Sequence, residues 1–118
     1  MIGVSGVKLL IVDNSSPMRR LLRSVASSLT DTVTECGDGA EAVRLYEVEH
    51  PDWVLMDVEM PIMDGIAATR AIMAADPNAK VLIVTQYREE SVHAAAHQAG
   101  AQEVILKDEL WKLQGRFC

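Results

Sequence analysis

Short apolar runs alternate along this 118-residue chain with segments whose apolar residues recur at helical spacing. The five runs cover residues 7–12, 32–36, 53–56, 80–84 and 103–106. Runs of this kind are typical of strands buried on both faces, which occur in parallel sheets covered by helices. The run 32–36 is the least apolar and is predicted to lie at a sheet edge. Because crossover connections are right-handed, we predict a doubly wound, five-stranded α/β fold with strand order 2-1-3-4-5.

The helical segments are predicted to lay their apolar faces on this sheet. The first has an apolar stripe at i, i+3, i+4, i+7 and i+11, formed by Met18, Leu21, Leu22, Val25 and Leu29. Arg19, Arg20 and Arg23 fall off that stripe, so we interpret them as a solvated face that could also help to dock an acidic partner. Further helices are predicted at residues 40–49, 65–75, 89–99 and 109–114. The last helix is short, breaks at Gly115, and is expected to place Trp111 in the core.

Polar residues follow four of the five predicted strands. Asp13 and Asn14 come after the first, Asp57 after the third, Thr85 after the fourth and Lys107 after the fifth. The carboxyl ends of parallel strands share one edge of the sheet, and ligands bind there at the point where the strand order reverses. We therefore expect these five side chains to surround one crevice between the first and third strands.

This set of side chains favours phosphoryl chemistry with a divalent cation. Carboxylate and amide oxygens are hard ligands of the kind that Mg²⁺ takes, and Asp13 is the predicted metal holder. A carboxylate can attack phosphorus to form an acyl phosphate, and Asp57 is the candidate nucleophile. Lys107 and Thr85 would supply counter-charge and a hydrogen-bond donor to the phosphoryl oxygens. Asp64, just before Gly65, is better placed than Asp57 to cap the helix that follows.

Length and charge exclude several classes of protein. The chain fits one domain, so residues 1–118 are predicted to form a single domain whose last helix is short or truncated. The formal net charge is −6 and the basic residues do not cluster, which argues against nucleic acid or an anionic membrane as a direct partner. No stretch reaches the roughly 18 apolar residues of a membrane span. Cys36 and Cys118 are not spaced like metal ligands, and a reducing compartment fits them. We therefore expect a soluble, cytoplasmic protein.

Two histidines suggest a second kind of metal site. His93 and His97 stand at i and i+4 on a predicted helix, a spacing that can bind a metal. No third ligand lies nearby in the sequence. We therefore favour exposed helix positions for both.

The chain resembles the receiver domains of two-component response regulators, a flavodoxin-like family, over about residues 7–113. The resemblance rests on Val-Asp-Asn after the first strand, Asp57 within Leu-Met-Asp-Val-Glu-Met-Pro-Ile-Met-Asp-Gly, Thr85 after Val-Leu-Ile-Val, and Gly-Ala followed by Lys107. It implies that Asp57 accepts a phosphoryl group from a sensor histidine kinase or phosphotransfer protein, with Mg²⁺ required. Thr85 and Lys107 would respond to that group, and the backbone carbonyl of Glu59 would be a further metal ligand.

The resemblance also implies an output. The surface of the fourth helix, fifth strand and fifth helix would change on phosphorylation and signal to an effector protein or a covalently linked output domain. It leaves open a homodimer that forms on phosphorylation. Enzymatic chemistry would be limited to phosphotransfer and loss of the phosphoryl group.

Two positions depart from the family's pattern. The family has a second acid that touches the metal where this chain has Asn14, so Mg²⁺ is expected to bind more weakly than to an acidic pair. The family also places a Tyr or Phe three residues before the lysine, where this chain has Val104. A valine cannot make the large rotamer change of an aromatic ring, so the usual coupling between the threonine and that ring is in question.

Residues around the pocket mouth are expected to tune the switch. Glu59 and Tyr87 occupy positions that set phosphate lifetime in the family, and Gln86 lies between Thr85 and Tyr87. A second carboxylate and a bulky ring near the path of water predict a long-lived phosphorylated form. Tyr87 could instead gate the output surface, or have no signalling role.

Three other functions remain open from the sequence. Asn14 and Val104 both permit a receiver-like interaction module that works without phosphate. An aspartate-dependent phosphatase would use Asp13 as nucleophile, with Asp57 secondary. A flavin-binding protein is disfavoured, because Asp13-Asn14-Ser15 puts an acid where a phosphate cradle needs bare amides.

Overall fold

A computed structural model describes residues 6–26, 30, 32–114 and 116–117 of the chain. Its strands are β1 Lys8–Val12, β2 Thr32–Cys36, β3 Trp53–Met56, β4 Val81–Thr85 and β5 Glu103–Leu106. Its helices are α1 Ser16–Ala26, α2 Gly39–Glu49, α3 Gly65–Ala75, α4 Glu90–Ala99 and a 3₁₀ helix Leu110–Leu113. The predicted positions of Leu29, Gly115 and Cys118 lie outside the described residues.

The strands form one parallel sheet in the order β2-β1-β3-β4-β5, which confirms the predicted fold. β3 and β4 are buried at every position, as expected of central strands with helices on both faces. The more polar β2 lies at an edge. The order reverses beside β1, so β1 and β3 border the crevice of the topological switch point.

Successive residues of each strand point to opposite faces and build two cores. One core joins residues such as Val12, Met56 and Ile83 to side chains of α2, α3 and α4. The other joins Ile11 and Leu55, among others, to α1 and to the segment after β5. The sheet is therefore held rigidly from both sides, and its carboxyl edge is a fixed platform.

The predicted stripe of α1 was wrong at Leu21, which is 46 % exposed. Leu22 and Ala26 are the buried residues of this helix, while Met18 and Val25 are half-buried. Consecutive helical residues are rotated by about 100°, so Leu21 cannot share the centre of a face that Leu22 occupies. The contact face of α1 is narrower than the apolar spacing suggested.

The segment after β5 also differs from the prediction. It is a single 3₁₀ turn, where a helix over residues 109–114 was predicted, and Trp111 is 67 % exposed where a core position was predicted. In a 3₁₀ helix residues i and i+3 eclipse, so Leu110 and Leu113 both face the core and Trp111 turns outward. Phe117 closes the core instead, with its ring 5.6 Å from that of Trp53 in an edge-to-face contact.

The arginines of α1 are not simply a solvated face. The side chains of Arg19 and Arg23 reach across to β2, where both pair with Glu35 at 3.0 and 2.7 Å. Arg20 is exposed, as expected. The pairs tie α1 to the edge strand, so two of the three arginines have structural partners.

The part of the chain that the structure describes contains no helix long and apolar enough to cross a membrane.

Candidate functional site

The backbone ladder continues one residue past the strands and holds the polar side chains at the carboxyl edge. The Asp57 amide donates to the carbonyl of Val12 at 2.9 Å, and the Lys107 amide donates to that of Thr85 at 2.8 Å. Asp13, which directly follows β1, likewise donates its amide to the carbonyl of Cys36 at 3.1 Å. The backbone of these residues is therefore as fixed as the sheet itself.

Lys107 joins the two acids. Its Nζ lies 3.0 Å from Asp13 Oδ2 and 3.2 Å from Asp57 Oδ1, and the lysine side chain is only 18 % exposed. The three residues come from β1, β3 and β5 tips that are far apart in sequence. The predicted convergence of Asp13, Asp57 and Lys107 is thus present in the structure.

Asp13 is almost fully buried, and its two carboxylate oxygens have different surroundings. Its Oδ1 accepts from the Ser15 amide at 2.8 Å, and the Arg19 guanidinium donates to its backbone carbonyl. Among the described residues its buried Oδ2 has no hydrogen-bond partner, and Lys107 Nζ faces it at 3.0 Å as an ion pair. A buried, under-coordinated carboxylate oxygen beside a second carboxylate suits a hard cation such as Mg²⁺.

Burial and neighbouring charges shift the pKa values of Asp57 and Lys107. Burial raises the pKa of Asp57 above its ordinary value, and the nearby charge of Asp13 raises it further. Lys107 and the amide of Val58, which donates to Asp57 Oδ1 at 2.9 Å, oppose that rise. Burial alone would lower the pKa of Lys107, but the close ion pairs with the two acids outweigh burial, and the pKa is raised. The site therefore holds Lys107 charged between the acids.

Gly65 explains the local sequence after Asp57. Its amide donates to the carbonyl of Val58 at 2.8 Å, which folds the loop back onto the strand end. A β-carbon at this position would lie 1.7 Å from the Asp57 carbonyl oxygen, so any other residue would displace the acid. Asp64 caps α3 by accepting from the Ala67 amide at 2.8 Å, as predicted, which leaves Asp57 free of a capping role.

Glu59 and Tyr87 form the opposite rim, and a hydrogen bond links Tyr87 to Thr85. Thr85 is buried, and its Oγ1 accepts from the Tyr87 amide at 3.1 Å. The Tyr87 hydroxyl donates to Glu59 Oε1 at 2.5 Å, and this bond raises the pKa of Tyr87. The Glu59–Tyr87 bond therefore spans the gap between the β3 and β4 tips.

These groups surround an open cavity of about 560 Å³. It is lined by Asp13, Asn14, Ser15, Met18, Asp57, Glu59, Met60, Pro61, Gln86, Tyr87 and Lys107. Seven of the nine predicted site residues line this cavity. Thr85 was expected to line it too, but it is buried at the end of β4 and does not. Ser15, Met18, Met60 and Pro61 also line the cavity and were not predicted. Ser15 could have been predicted, because an Asp side chain such as that of Asp13 often accepts from the backbone amide two residues later.

Val104 does not reach the cavity. It lies on β5, half-buried against the core formed with α2, α3 and α4. The histidines do not gather either: His97 is exposed, and Nε2 of His93 lies 2.8 Å from the Tyr87 carbonyl. Within the described ranges, no three or more His, Cys, Asp and Glu side chains cluster as metal ligands. A cation in the cavity would be held by the carboxylates of Asp13 and Asp57, the side-chain amide oxygen of Asn14 and a backbone carbonyl oxygen.

The fold and the pocket together define a class of protein. It is the flavodoxin-like α/β class with two acids and a lysine in a pocket at the carboxyl edge of a 2-1-3-4-5 sheet, and a threonine at the end of the fourth strand. The response regulator receiver domain family matches residues 9–114. The chain belongs to the response regulator receiver family, whose members are signalling switches.

Relatives of known name and structure agree with this membership. The chemotaxis protein CheY of Listeria monocytogenes is 38 % identical over 102 residues, which is 86 % of either chain. The receiver domain of the NarL regulator of Mycobacterium tuberculosis superposes with a TM-score of 0.86 at 28 % identity, covering 93 % of this chain and 94 % of that one. CheY of Borrelia burgdorferi, solved in a complex with CheX, BeF3 and Mg²⁺, gives a TM-score of 0.84 at 29 % identity, covering 95 % and 90 %.

Proposed function

We propose that this chain is a phosphorylation switch in which Asp57 accepts a phosphoryl group from a sensor histidine kinase or a phosphotransfer protein. The observation that carries the proposal is the position of Asp57: a buried carboxylate at the floor of an open cavity, paired with Lys107 and next to Asp13. An acid buried only for stability would be fully paired and closed off. This one faces a cavity wide enough for a donor side chain.

The transfer is a displacement at phosphorus. A carboxylate oxygen of Asp57 forms the new bond, the bond from phosphorus to the donor nitrogen breaks, and the nitrogen keeps the electron pair. Oδ1 is held by the Val58 amide and Lys107, so we expect Oδ2 to attack. Lys107 then stabilises the charge on the phosphoryl oxygens, and the Thr85 hydroxyl donates to one of them.

Mg²⁺ fits the residues present and is the proposed cofactor. Asp13 would hold it through Oδ2, which pairs with Lys107 but has no hydrogen-bond partner, together with Asp57, the Asn14 amide oxygen and the backbone carbonyl of Glu59. A bound Mg²⁺ neutralises charge that develops on the phosphoryl oxygens. Because Asn14 brings no charge, the residues favour weaker binding than a pair of acids after β1 would give.

The rim residues are proposed to set how long the phosphoryl group persists. Water that hydrolyses the acyl phosphate must pass Glu59, Gln86 and Tyr87, which line the cavity. The Glu59–Tyr87 bond narrows that approach. We therefore propose slow intrinsic loss of phosphate and no other enzymatic activity.

The output surface is proposed to include α4, β5 and the segment after β5, acting on an effector protein or a linked output domain. The Borrelia relative was solved in complex with another protein, CheX, which favours a protein partner for this chain as well. Residues 1–118 are proposed to act as one domain in the cytoplasm. Dimerisation on phosphorylation is proposed as a further response. Direct binding of nucleic acid is not part of the proposal, since the net charge is −6.

Incubation with phosphoramidate and Mg²⁺, followed by intact mass measurement, tests the proposal. We expect a gain of one phosphoryl group that is lost in Asp57→Asn and strongly slowed when Mg²⁺ is chelated. Asp13→Asn is the control for a phosphatase-like mechanism, in which Asp13 would be the nucleophile. Uptake that persists in Asp57→Asn would contradict the assignment.

The second candidate is an interaction module that works without phosphate. Asn14 and the packed Val104 favour it, since both remove parts of the usual switch. No mass gain in the unmodified chain, at saturating donor and Mg²⁺, would support this candidate over the first.

A further inference from the structure

Tyr87 is held at three points by three different parts of the fold. Its amide donates to Thr85 Oγ1 at 3.1 Å, and its hydroxyl donates to Glu59 Oε1 at 2.5 Å. Its backbone carbonyl lies 2.8 Å from Nε2 of His93 on α4. A carbonyl only accepts hydrogen bonds, so Nε2 of His93 carries the hydrogen and donates. One residue therefore connects the end of β4, the loop after Asp57 and the helix α4.

Position 104 offers no comparable connection. Val104 is packed against the core, and a β-branched side chain has few rotamers to exchange. A movement of Thr85 therefore meets no ring on β5 that could turn in response. The Thr85 side chain instead accepts a hydrogen bond from the Tyr87 amide.

Thr85 is buried and does not line the cavity, so its hydroxyl has to turn to reach a phosphoryl oxygen at Asp57. When Oγ1 turns toward a phosphoryl oxygen at Asp57, its alignment with the Tyr87 amide is lost. The Tyr87 backbone is then free to shift. Its ring has space to follow, because a second cavity of about 300 Å³, lined in part by Val58, Ile66 and Ala67, lies beside it.

The helix that receives this movement is weakly anchored. The buried residues of α4 are Ala96 and Ala99, so a small displacement opens little void. The N-cap residue Glu89, just before the helix, makes no side-chain capping bond. His93 lies near the start of α4, so a displacement transmitted through its ring would act on the uncapped first turns of the helix.

We propose that the hydrogen bond from His93 to the Tyr87 carbonyl transmits the displacement of Thr85 to α4, in place of an aromatic ring at position 104. The inference rests on the proposed function, because the phosphoryl group at Asp57 is what displaces Thr85. His93 is a positioning residue in this scheme and does not touch the phosphoryl group.

The first test follows α4 in the phosphorylated chain. The amide signals of Glu90–Ala99 are recorded by ¹H–¹⁵N NMR with and without phosphoramidate and Mg²⁺, and phosphoryl occupancy is measured by mass in the same samples. His93→Ala should keep full occupancy and lose the shifts on α4. His93→Gln, whose amide can still donate, should restore them, and His97→Ala is the matched control on an exposed position of the same helix.

The second test needs no phosphate. Thr85→Val keeps the shape of the side chain and removes the acceptor of the Tyr87 amide, whereas Thr85→Ser keeps it. Thr85→Val should lower the exchange protection of the Tyr87 amide by roughly two- to tenfold, the range of one hydrogen bond. It should also shift α4 signals when His93 is present, and fail to do so in the His93→Ala background.

The outcomes separate the two proposals. Equal α4 shifts in His93→Ala and the unmodified chain, in either test, would overturn the His93 connection. A chain that takes up no phosphoryl group would refute the proposed function, and the Thr85→Val comparison would then decide the connection alone.

Discussion

Replacing Lys107 by Met keeps the aliphatic stem and removes the ammonium group that lies between two buried acids. At an effective dielectric constant of 20, its attraction to Asp13 at 3.0 Å and to Asp57 at 3.2 Å amounts to about 5.5 and about 5.2 kcal/mol before desolvation. Dehydration of the lysine offsets much of that sum. Removing one partner of a buried pair costs about 3–5 kcal/mol, and the 18 % exposure of Lys107 favours the lower end. We expect a loss of about 3 kcal/mol at neutral pH.

The loss should depend on pH in a defined direction. The pKa of Asp57 is raised in the folded chain, so this carboxyl favours folding most when protonated, and that contribution is lost as the pH rises through its folded-state pKa. Lys107→Met removes the charge that opposes this rise. The destabilisation should therefore shrink in acid, where Asp57 takes up a proton, and be complete at neutral pH. The pKa of Lys107 is also raised, so in the unmodified chain its contribution is present at neutral pH and is lost only in strong alkali.

Urea denaturation without Mg²⁺, followed by circular dichroism at several pH values, measures the effect. Lys112→Met is the matched control: Lys112 pairs with Glu109 at 2.9 Å at the surface, and we expect a change within about 1 kcal/mol. Adding Asp57→Asn to Lys107→Met should restore most of the stability, because it removes one of the two repelling acids. Equal losses in the two lysine variants, or no rescue by Asp57→Asn, would refute the electrostatic reasoning.

Three further predictions concern single positions. Asn14→Asp should tighten Mg²⁺ binding by roughly tenfold. A unit charge about 4 Å from a divalent cation is worth about 8 kcal/mol at a dielectric constant of 20, and desolvation offsets most of this. The variant should also be less stable without metal, because its acids repel one another; equal or weaker Mg²⁺ binding in calorimetric titration would count against this prediction. Tyr87→Ala should shorten the lifetime of phosphorylated Asp57 by opening the path of water past Glu59, and an unchanged decay in a mass time course would exclude the shielding role. Ile62→Gly should stabilise the fold by about 1 kcal/mol in thermal or urea denaturation. Ile62 is 85 % exposed and its β-branched residue type is strained at φ 70°, whereas glycine is not. A neutral or destabilising result would show that contacts of this side chain stabilise the loop.

The fold could be predicted because its signals are local. Apolar runs, capping residues and the polar edge strand each follow from a few neighbouring residues, and the parallel topology follows from their alternation. The site residues at strand ends were predictable for the same reason, since strand order alone brings Asp13, Asp57 and Lys107 to one edge.

Errors arose where the answer depends on distant parts of the chain. Trp111 was wrongly placed in the core because nothing nearby shows that Phe117 fills the space beside Trp53. Arg19 was interpreted as solvated because its partner Glu35 is 16 residues away. Leu21 satisfied the helical spacing, yet only the packed helix shows how narrow the contact face is.

The connections of Tyr87 could not be predicted either. Its hydroxyl meets Glu59 at a separation of 28 residues, and its carbonyl meets His93 through the start of α4. The sequence suggested a ring near the pocket and a pair of surface histidines, but not that one histidine holds the backbone of that ring's residue. Such contacts arise from the relative placement of loop and helix, which residue spacing does not encode.

A crystal structure of the chain grown with Mg²⁺ and beryllofluoride tests the central claim most directly. We predict a BeF3 group bound to a carboxylate oxygen of Asp57, contacted by Lys107 Nζ and Thr85 Oγ1, with Mg²⁺ against Asp13. A BeF3 group on Asp13, or no group in the cavity at saturating concentrations, would contradict the account.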